Sequence, residues 1–308
     1  MTGIKAIGQY VAPDIISNLA RAERAGKDKG FISDKIGFES VARLPAGMEA
    51  SDMCAAAFAD LQNHANVRPE DVDCLIVCTQ NPDARGLPHT SAVVHAKLGL
   101  GHDVACFDIS LGCSGYVYGL SVILSFMQTN GLHNGLLFTA DPYSRILDGE
   151  NWDTELLFGD AATVTWLGHD PAYRCRPAMF GTDGSMGHSI AVSPENGKLG
   201  MLGSNVFKFS MTAVPEQIRR YLQRETLAPE DIDVFLFHQG SRFIVENLAK
   251  KMGLPPDKVP FEASRIGNTV SSSLPLLLVP RLQTQPERIL MSGFGVGLSW
   301  ATMMLDAT

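Results

Sequence analysis

A chain of 308 residues that is 45% hydrophobic has the make-up of one large globular domain or two ordinary ones, which excludes a disordered chain. A formal charge of -8, with no block of Lys or Arg, leaves no electrostatic footprint for nucleic acid. The six cysteines lie mostly inside apolar segments without the spacing of a disulfide scaffold, which points to a reducing compartment.

The first residues, Met1-Thr2-Gly3-Ile4-Lys5, lack the charged start and continuous apolar stretch of a secretory signal, and no run of about 18 apolar residues follows. The expectation is a soluble cytoplasmic protein without membrane insertion. Further along, an acidic turn, Pro69-Glu70-Asp71-Val72-Asp73, feeds the apolar run Cys74 to Cys78. This run is too short for a typical buried helix and reads as a buried strand. Cys74 and Cys78 serve its core packing, and no metal is assigned. A helix-like segment then ends at Leu98-Gly99-Leu100, with the glycine as its stop.

Next comes Cys113, between the strand-like stretch from Cys106 and a long apolar helix-like one. Gly112 and Gly115 are expected to permit a tight turn and close approach by a substrate, and the helix N-terminus to favour thiolate. Taken alone, the residue also reads as a buried core cysteine. The first half closes through Leu156 to Ala162, with Phe158-Gly159-Asp160, into a strand over Ala162 to Leu167.

The second half echoes the first. Pro229-Glu230-Asp231-Ile232-Asp233 feeds Val234 to Phe237, 160 residues after its counterpart, and ends at His238-Gln239. Met252-Gly253-Leu254 ends a second helix before a strand-like Val259-Pro260-Phe261, and Asn268 follows Leu254 at nearly the spacing by which Cys113 follows Leu100. Ile289 to Gly297 meets a Phe-Gly pair as Leu156 to Gly159 does, and a strand over Ser299 to Leu305 closes the chain. Strands alternating with helices predict an α/β layered fold of two halves, residues 1–170 and 171–308. Equivalent strand-to-helix turns of such halves meet at the centre, which would bring Cys113, His238 and Asn268 together.

With Cys113 in Gly-Cys-Ser-Gly, His238 in His-Gln, Asn268 in Gly-Asn-Thr, and Phe294-Gly295-Val296-Gly297, the chain resembles the thiolase-fold condensing enzymes, specifically the 3-oxoacyl-acyl-carrier-protein synthase III group. The resemblance implies a five-layered αβαβα fold of two pseudo-symmetric thiolase-like halves, a homodimer, acyl carrier protein as partner, and a Cys113-His238-Asn268 triad. It implies that Cys113 takes an acyl group from an acyl-CoA or acyl-carrier-protein thioester. His238 and Asn268 would then stabilise the enolate of a decarboxylating malonyl thioester, giving a 3-oxoacyl product of fatty acid biosynthesis. The oxyanion hole would be the backbone N–H groups of Cys113 and Val296, and no bound cofactor is implied.

Around this centre the sequence departs from the family. Phe31 to Ser40 lacks the usual tryptophan and Arg-Thr pair of the CoA mouth, Ser241 replaces an asparagine, and Val296 a glycine. On the resemblance, Leu87, Arg145, Phe207, Ser241 and Phe294 are candidate substrate contacts, Leu87 acting across the dimer. Lys208, Arg242, Lys250 and Lys251 are candidates for docking the carrier protein, with Arg219, Arg220 and Arg224 extending the patch. Arg85, Arg145 and Arg281 raise the expectation of a donor bearing a carboxylate. Two alternatives stay open: transfer of the acyl group to an alcohol, amine or aromatic acceptor, and a non-catalytic partner of a condensing heterodimer.

Overall fold

The computed structural model describes residues 2–308. Ten strands form its main sheet: β1 (Thr2–Val11), β2 (Cys74–Cys78), β3 (Ala105–Ile109), β4 (Gly135–Ala140), β5 (Ala161–His169), β6 (Tyr173–Cys175), β7 (Met179–Thr182), β8 (Val234–Phe237), β9 (Arg288–Gly295) and β10 (Ser299–Ala307). Their order is β8-β9-β10-β6-β1-β5-β4-β2-β3, with β7 also on β10. The helices that cover it are α1 (Ala50–His64), α2 (Thr90–Leu98), α3 (Gly115–Asn130), α4 (Gly203–Glu225), α5 (Arg242–Met252) and α6 (Ser273–Leu278).

The alternation of side chains along the strands sorts this sheet into layers. Leu75 and Val77 of β2 pack with Met53, Ala57 and Leu61 of α1 on one outer face. Cys74 and Ile76 point the other way, onto Tyr116, Leu120 and Ile123 of α3. The same central cluster takes in Leu274 and Leu278 of α6, with Leu236 of β8 and Ile289 and Met291 of β9. Phe235, Phe237 and Leu290 face outward again, onto Val214, Ile218, Val245 and Leu248 of α4 and α5. Two helices thus lie between two sheet halves and further helices outside each, the αβαβα layering of a thiolase-like fold.

The internal echo is visible in detail. Pro69–Asp71 and Pro229–Asp231 each form a single 3₁₀ turn before a buried strand. Asp73 then accepts from the backbone of His133 and Asn134 ahead of β4, as Asp233 accepts from Arg288 at the start of β9. Each parallel pair, β2 with β4 and β8 with β9, is followed by an antiparallel step to β5 or β10. Gly99 and Gly253 end α2 and α5 at φ +64° and +68°, the left-handed region that glycine enters without penalty.

Two expected equivalences are corrected. Val259 to Phe261 is not a strand; Pro260 has no N–H to give to a ladder. The Phe-Gly pairs are also not counterparts. Phe294-Gly295 ends β9, whereas Phe158-Gly159 follows a short helix (Trp152–Glu155), because the first half inserts residues 141–160 between β4 and β5 where the second turns back through 296–298. Among the described residues no helix is long and apolar enough to cross a membrane.

Candidate active site

Cys113 sits in the turn from β3 into α3, and the end of β9 lies against it. A Cβ on Gly295 would stand 2.7 Å from Cys113 Sγ, and one on Gly293 would stand 2.6 Å from its carbonyl oxygen, so only glycine fits at either place. Gly112 and Gly115 are close-packed too, though against neighbouring side chains and not for a left-handed turn. Their missing side chains are replaced by Gln80 and Val296 at Gly112 and by Cys78 Sγ at Gly115, all within 2.6 Å of where a Cβ would be. The close approach foreseen for a ligand is filled by the protein itself.

Burial, and then the Asp141 carboxylate, push the Cys113 thiol up to about 12; the backbone N–H groups of Val296 and of Cys113 itself oppose the rise. The expected thiolate is therefore corrected: the desolvation of an almost fully buried sulfur outweighs the donors at the turn, and the resting group is a thiol. Asp141 is fully buried, with its own value raised to about 6 by burial. It accepts from Gln80 N at 2.7 Å and from the Ser271 hydroxyl, which ties the start of the 141–160 connection to the segment after Asn268.

His238 follows β8 directly, its backbone N–H bonded to Ser292 of β9 at 3.0 Å. Its ring is buried edge-on to Phe294, with centroids 5.8 Å apart, and Nδ1 lies 2.7 Å from the Ser273 hydroxyl. Burial lowers its value to about 3, so the imidazole is neutral near neutral pH. Asn268 is held from both sides by the loop before β5: its N–H donates to Leu157 O at 2.8 Å, and its carbonyl accepts from Gly159 N at 2.9 Å. Gly159 must be glycine, since a Cβ there would fall 1.8 Å from Ile266 O. The side-chain Oδ1 accepts from Val270 N at 2.9 Å, which leaves Nδ2–H₂ as the group the amide can offer. Asp160 accepts from Leu44 N and Ser144 N, so Phe158-Gly159-Asp160 is a clamp on the Asn268 loop.

One cavity of about 330 Å³ receives all three side chains: Cys113, His238 and Asn268 line it together with Phe207, Ser241, Phe294 and Val296. Its mouth holds Phe31 and Lys35 from the single π-helical turn Phe31–Ile36, with Lys27 and Trp152. Lys35 is exposed, while Lys27 pairs with Asp153 at 3.3 Å. An aromatic ring and a cation thus stand at the mouth although Phe31 to Ser40 lacks the family's tryptophan and arginine, and Trp152, which the sequence alone does not single out, joins them. Its signal was an aromatic residue stranded in the polar stretch Asp148 to Asp153.

Other candidates are placed elsewhere. Arg145 does not line the cavity; it binds Glu49 and the Met48 carbonyl. Arg281 is paired with Glu262 and Arg85 is exposed, so no arginine of this chain reaches the cavity to meet a donor's carboxylate. Leu87 is 86% exposed and touches no part of its own site. Lys208 is exposed one residue beyond Phe207. Arg242 is engaged within the chain, donating to Ser33 O at 3.1 Å with its guanidinium 4.6 Å from the Phe261 ring centroid. Lys250 and Lys251 are exposed at the far end of α5 from Ser241, about 12 Å along the helix from the mouth. Arg224 is bound to Glu225 and Pro177 O.

Residues 107–184 and 222–307 match the family models for 3-oxoacyl-[acyl-carrier-protein] synthase III and for its C-terminal part. The chain is 30% identical to the beta-ketoacyl-[acyl-carrier-protein] synthase III of Caldanaerobacter subterraneus subsp. tengcongensis, over 98% of this chain and 97% of that protein. A crystal structure of a 3-oxoacyl-(acyl-carrier-protein) synthase III superposes with a TM-score of 0.93 at 31% identity, covering 99% of both chains. That of the 3-oxoacyl-(acyl-carrier protein) synthase from Burkholderia xenovorans LB400 gives 0.90 at 31%, covering 99% of this chain and 94% of the other.

Proposed function

Because the chain belongs to the 3-oxoacyl-acyl-carrier-protein synthase III family of acyl-transferring condensing enzymes, we propose that Cys113, His238 and Asn268 divide its two half-reactions in the single cavity they line. The observation that carries this reading is the one cavity that Cys113, His238, Asn268 and Val296 line together, in which the sulfur meets a neutral imidazole and an amide whose Nδ2–H₂ is left to donate.

In the first half-reaction the Sγ–H proton passes to His238 as sulfur attacks the carbonyl carbon of an acyl thioester. The carbonyl oxygen becomes an oxyanion held by the two backbone N–H groups. Collapse expels the donor's thiolate, which takes the proton, and leaves an acyl thioester on Cys113. A neutral imidazole has a lone pair free for this proton, and because burial makes it a weak base and the thiol a weak acid, the transfer proceeds in concert with attack on the carbonyl rather than ahead of it.

In the second half-reaction a malonyl group on a pantetheine arm enters past Phe31, Trp152 and Phe207. Loss of carbon dioxide places negative charge on its thioester oxygen, toward which a His238 Nε2–H and the Asn268 Nδ2–H₂ donate. The enolate carbon attacks the acyl carbonyl, the carbon–sulfur bond to Cys113 breaks, and the 3-oxoacyl thioester departs.

The mouth supports binding of a pantetheine-bearing substrate, CoA or carrier protein, with Lys35 at the mouth and the exposed Lys208 next to Phe207 available to its phosphates or to an acidic partner. A homodimer is supported by a continuous apolar surface. The outer edge of β3 is unpaired and its residues are half-buried. Phe107 packs on Phe126 of α3, and Tyr118, Val122 and Phe126 share one helix face, onto which Phe180 also packs. Leu87 lies outside its own site and so is free to reach a second copy.

Mass spectrometry after exposure to a panel of acyl-CoA thioesters tests the assignment. An acyl mass is expected on the Cys113 peptide, and none in Cys113→Ala, which should also lose condensation. An adduct and product formed equally by that variant would falsify the nucleophile.

A further inference from the structure

Behind the wall formed by His238 and Asn268 lies a second cavity of about 180 Å³, lined by Gln9, Val11, Gln239, Glu262, Thr269 and Ser273 among others. Gln239 and Thr269 are the immediate chain neighbours of His238 and Asn268, so the two cavities share one wall. Gln9 and Glu262 are exposed and do not line the first cavity, so the second opens to solvent through residues that the substrate mouth does not use. Gln239 is fixed as part of that wall: its amino group donates to Phe237 O at 2.9 Å, and its oxygen accepts from Glu262 N at 2.9 Å. Ser273 alone both lines the second cavity and hydrogen-bonds a side chain of the first, its hydroxyl lying 2.7 Å from His238 Nδ1.

The proton balance of the proposed reaction gives this arrangement a task. Acylation needs no external proton, since the one on Cys113 leaves with the donor's thiol. Condensation consumes one, because Cys113 is expelled as thiolate and must be returned to a thiol. At that moment the substrate arm fills the cavity that contains the sulfur. We propose that Ser273 relays this proton from water in the second cavity to His238, and so to Cys113, during condensation.

Written out, His238 begins as the Nε2–H tautomer with its Nδ1 lone pair accepting from the Ser273 O–H. As the carbon–sulfur bond breaks, the Nε2 proton passes to Sγ and the Ser273 proton to Nδ1, and a water of the second cavity reprotonates the serine oxygen. One proton enters from solvent, one S–H bond forms, and no electrons are exchanged. The opposite tautomer, which accepts the thiol proton in acylation, is exchanged for this one while the first cavity stands open between substrates. Glu262, paired with Arg281 at 2.5 Å, supplies the charged rim at the solvent end.

The relay rests on the two-step reading above, and the test separates the two half-reactions. Acylation is followed by mass on Cys113, using the acyl-CoA that labels it. Condensation is followed in a single turnover of pre-acylated enzyme with malonyl-acyl carrier protein, in water and in deuterium oxide. Ser273→Ala is expected to lower condensation relative to acylation by at least about tenfold and to change the solvent isotope effect on condensation. Ser273→Thr should restore most of the rate. Val11→Phe, which keeps the serine but fills the second cavity, should copy the condensation defect. Equal slowing of both halves in Ser273→Ala would show that the serine only orients the imidazole and would overturn the relay; so would an unimpaired condensation in Val11→Phe. A wild-type enzyme that forms no adduct with any thioester overturns the functional reading, and the relay with it.

Discussion

The two halves of this molecule differ most where the strand that follows the parallel ladder turns back. In the first half that connection runs through residues 141–160; in the second it is the hairpin at 296–298. The long one contributes side chains: Asp141 behind the sulfur, Tyr143 and Phe158 in the cavity wall, Trp152 at the mouth. The short one contributes the backbone of Val296, directly after Gly293 and Gly295 of β9, the glycines that leave room for Cys113. A duplicated fold can therefore keep its chemistry on the connection with no freedom and its substrate fit on the connection with most.

This division would break if substitutions beside Cys113 at the end of β9 altered binding, or those at the cavity mouth on the long connection altered turnover. Gly295→Ala should have the largest effect. Its Cβ would stand 2.7 Å from Sγ and 2.8 Å from the Cys113 Cβ, so the sulfur must leave its position; acylation is expected to fall by about a hundredfold with KM little changed. Trp152→Ala should instead raise KM for acyl-CoA by about tenfold, the loss of one base-stacking surface, at near-normal kcat. A kcat defect there would erase the distinction.

Asp141→Asn should act on neither binding nor the hairpin but on the thiol, lowering its raised value and speeding alkylation by iodoacetamide severalfold above neutral pH. The same variant has a stability signature. Because folding raises Asp141 from 3.8 to about 6, its contribution is full below the unfolded value and lost as pH climbs through the folded one. Denaturant unfolding between about pH 4 and about pH 6 should lose that decline in Asp141→Asn. The smallest change is expected for Arg145→Ala: the side chain is on the long connection but outside the cavity, so KM should move less than about twofold.

What the sequence made legible follows the same line. The buried strands, their acidic turns and the glycine helix stops are local signals, and they recur in both halves with the same hydrogen bonds. Cys113, His238 and Asn268 were found because the duplication made them converge. Trp152 and the fate of Arg145 were not, since both depend on how an irregular connection folds back on Glu49 and the 27–36 segment, and no periodicity encodes that. Ser273 was equally hidden: a serine opening a helix reads as a cap until the ring it touches is known. The thiol's protonation also escaped, because burial is a property of the assembled wall, whereas the glycines beside it are local.

The pairing of β1 with β5 sets a timetable for synthesis. Thr2 lies opposite His169 and Val11 opposite Ala161, so β1 has no neighbouring strand until about 150 residues beyond it have been made. At roughly 5–20 residues per second that is about ten to thirty seconds, during which the ladder groups of β1 have no partner on β5. Among the strands of the main sheet β1 is thus the one that waits longest for its partner.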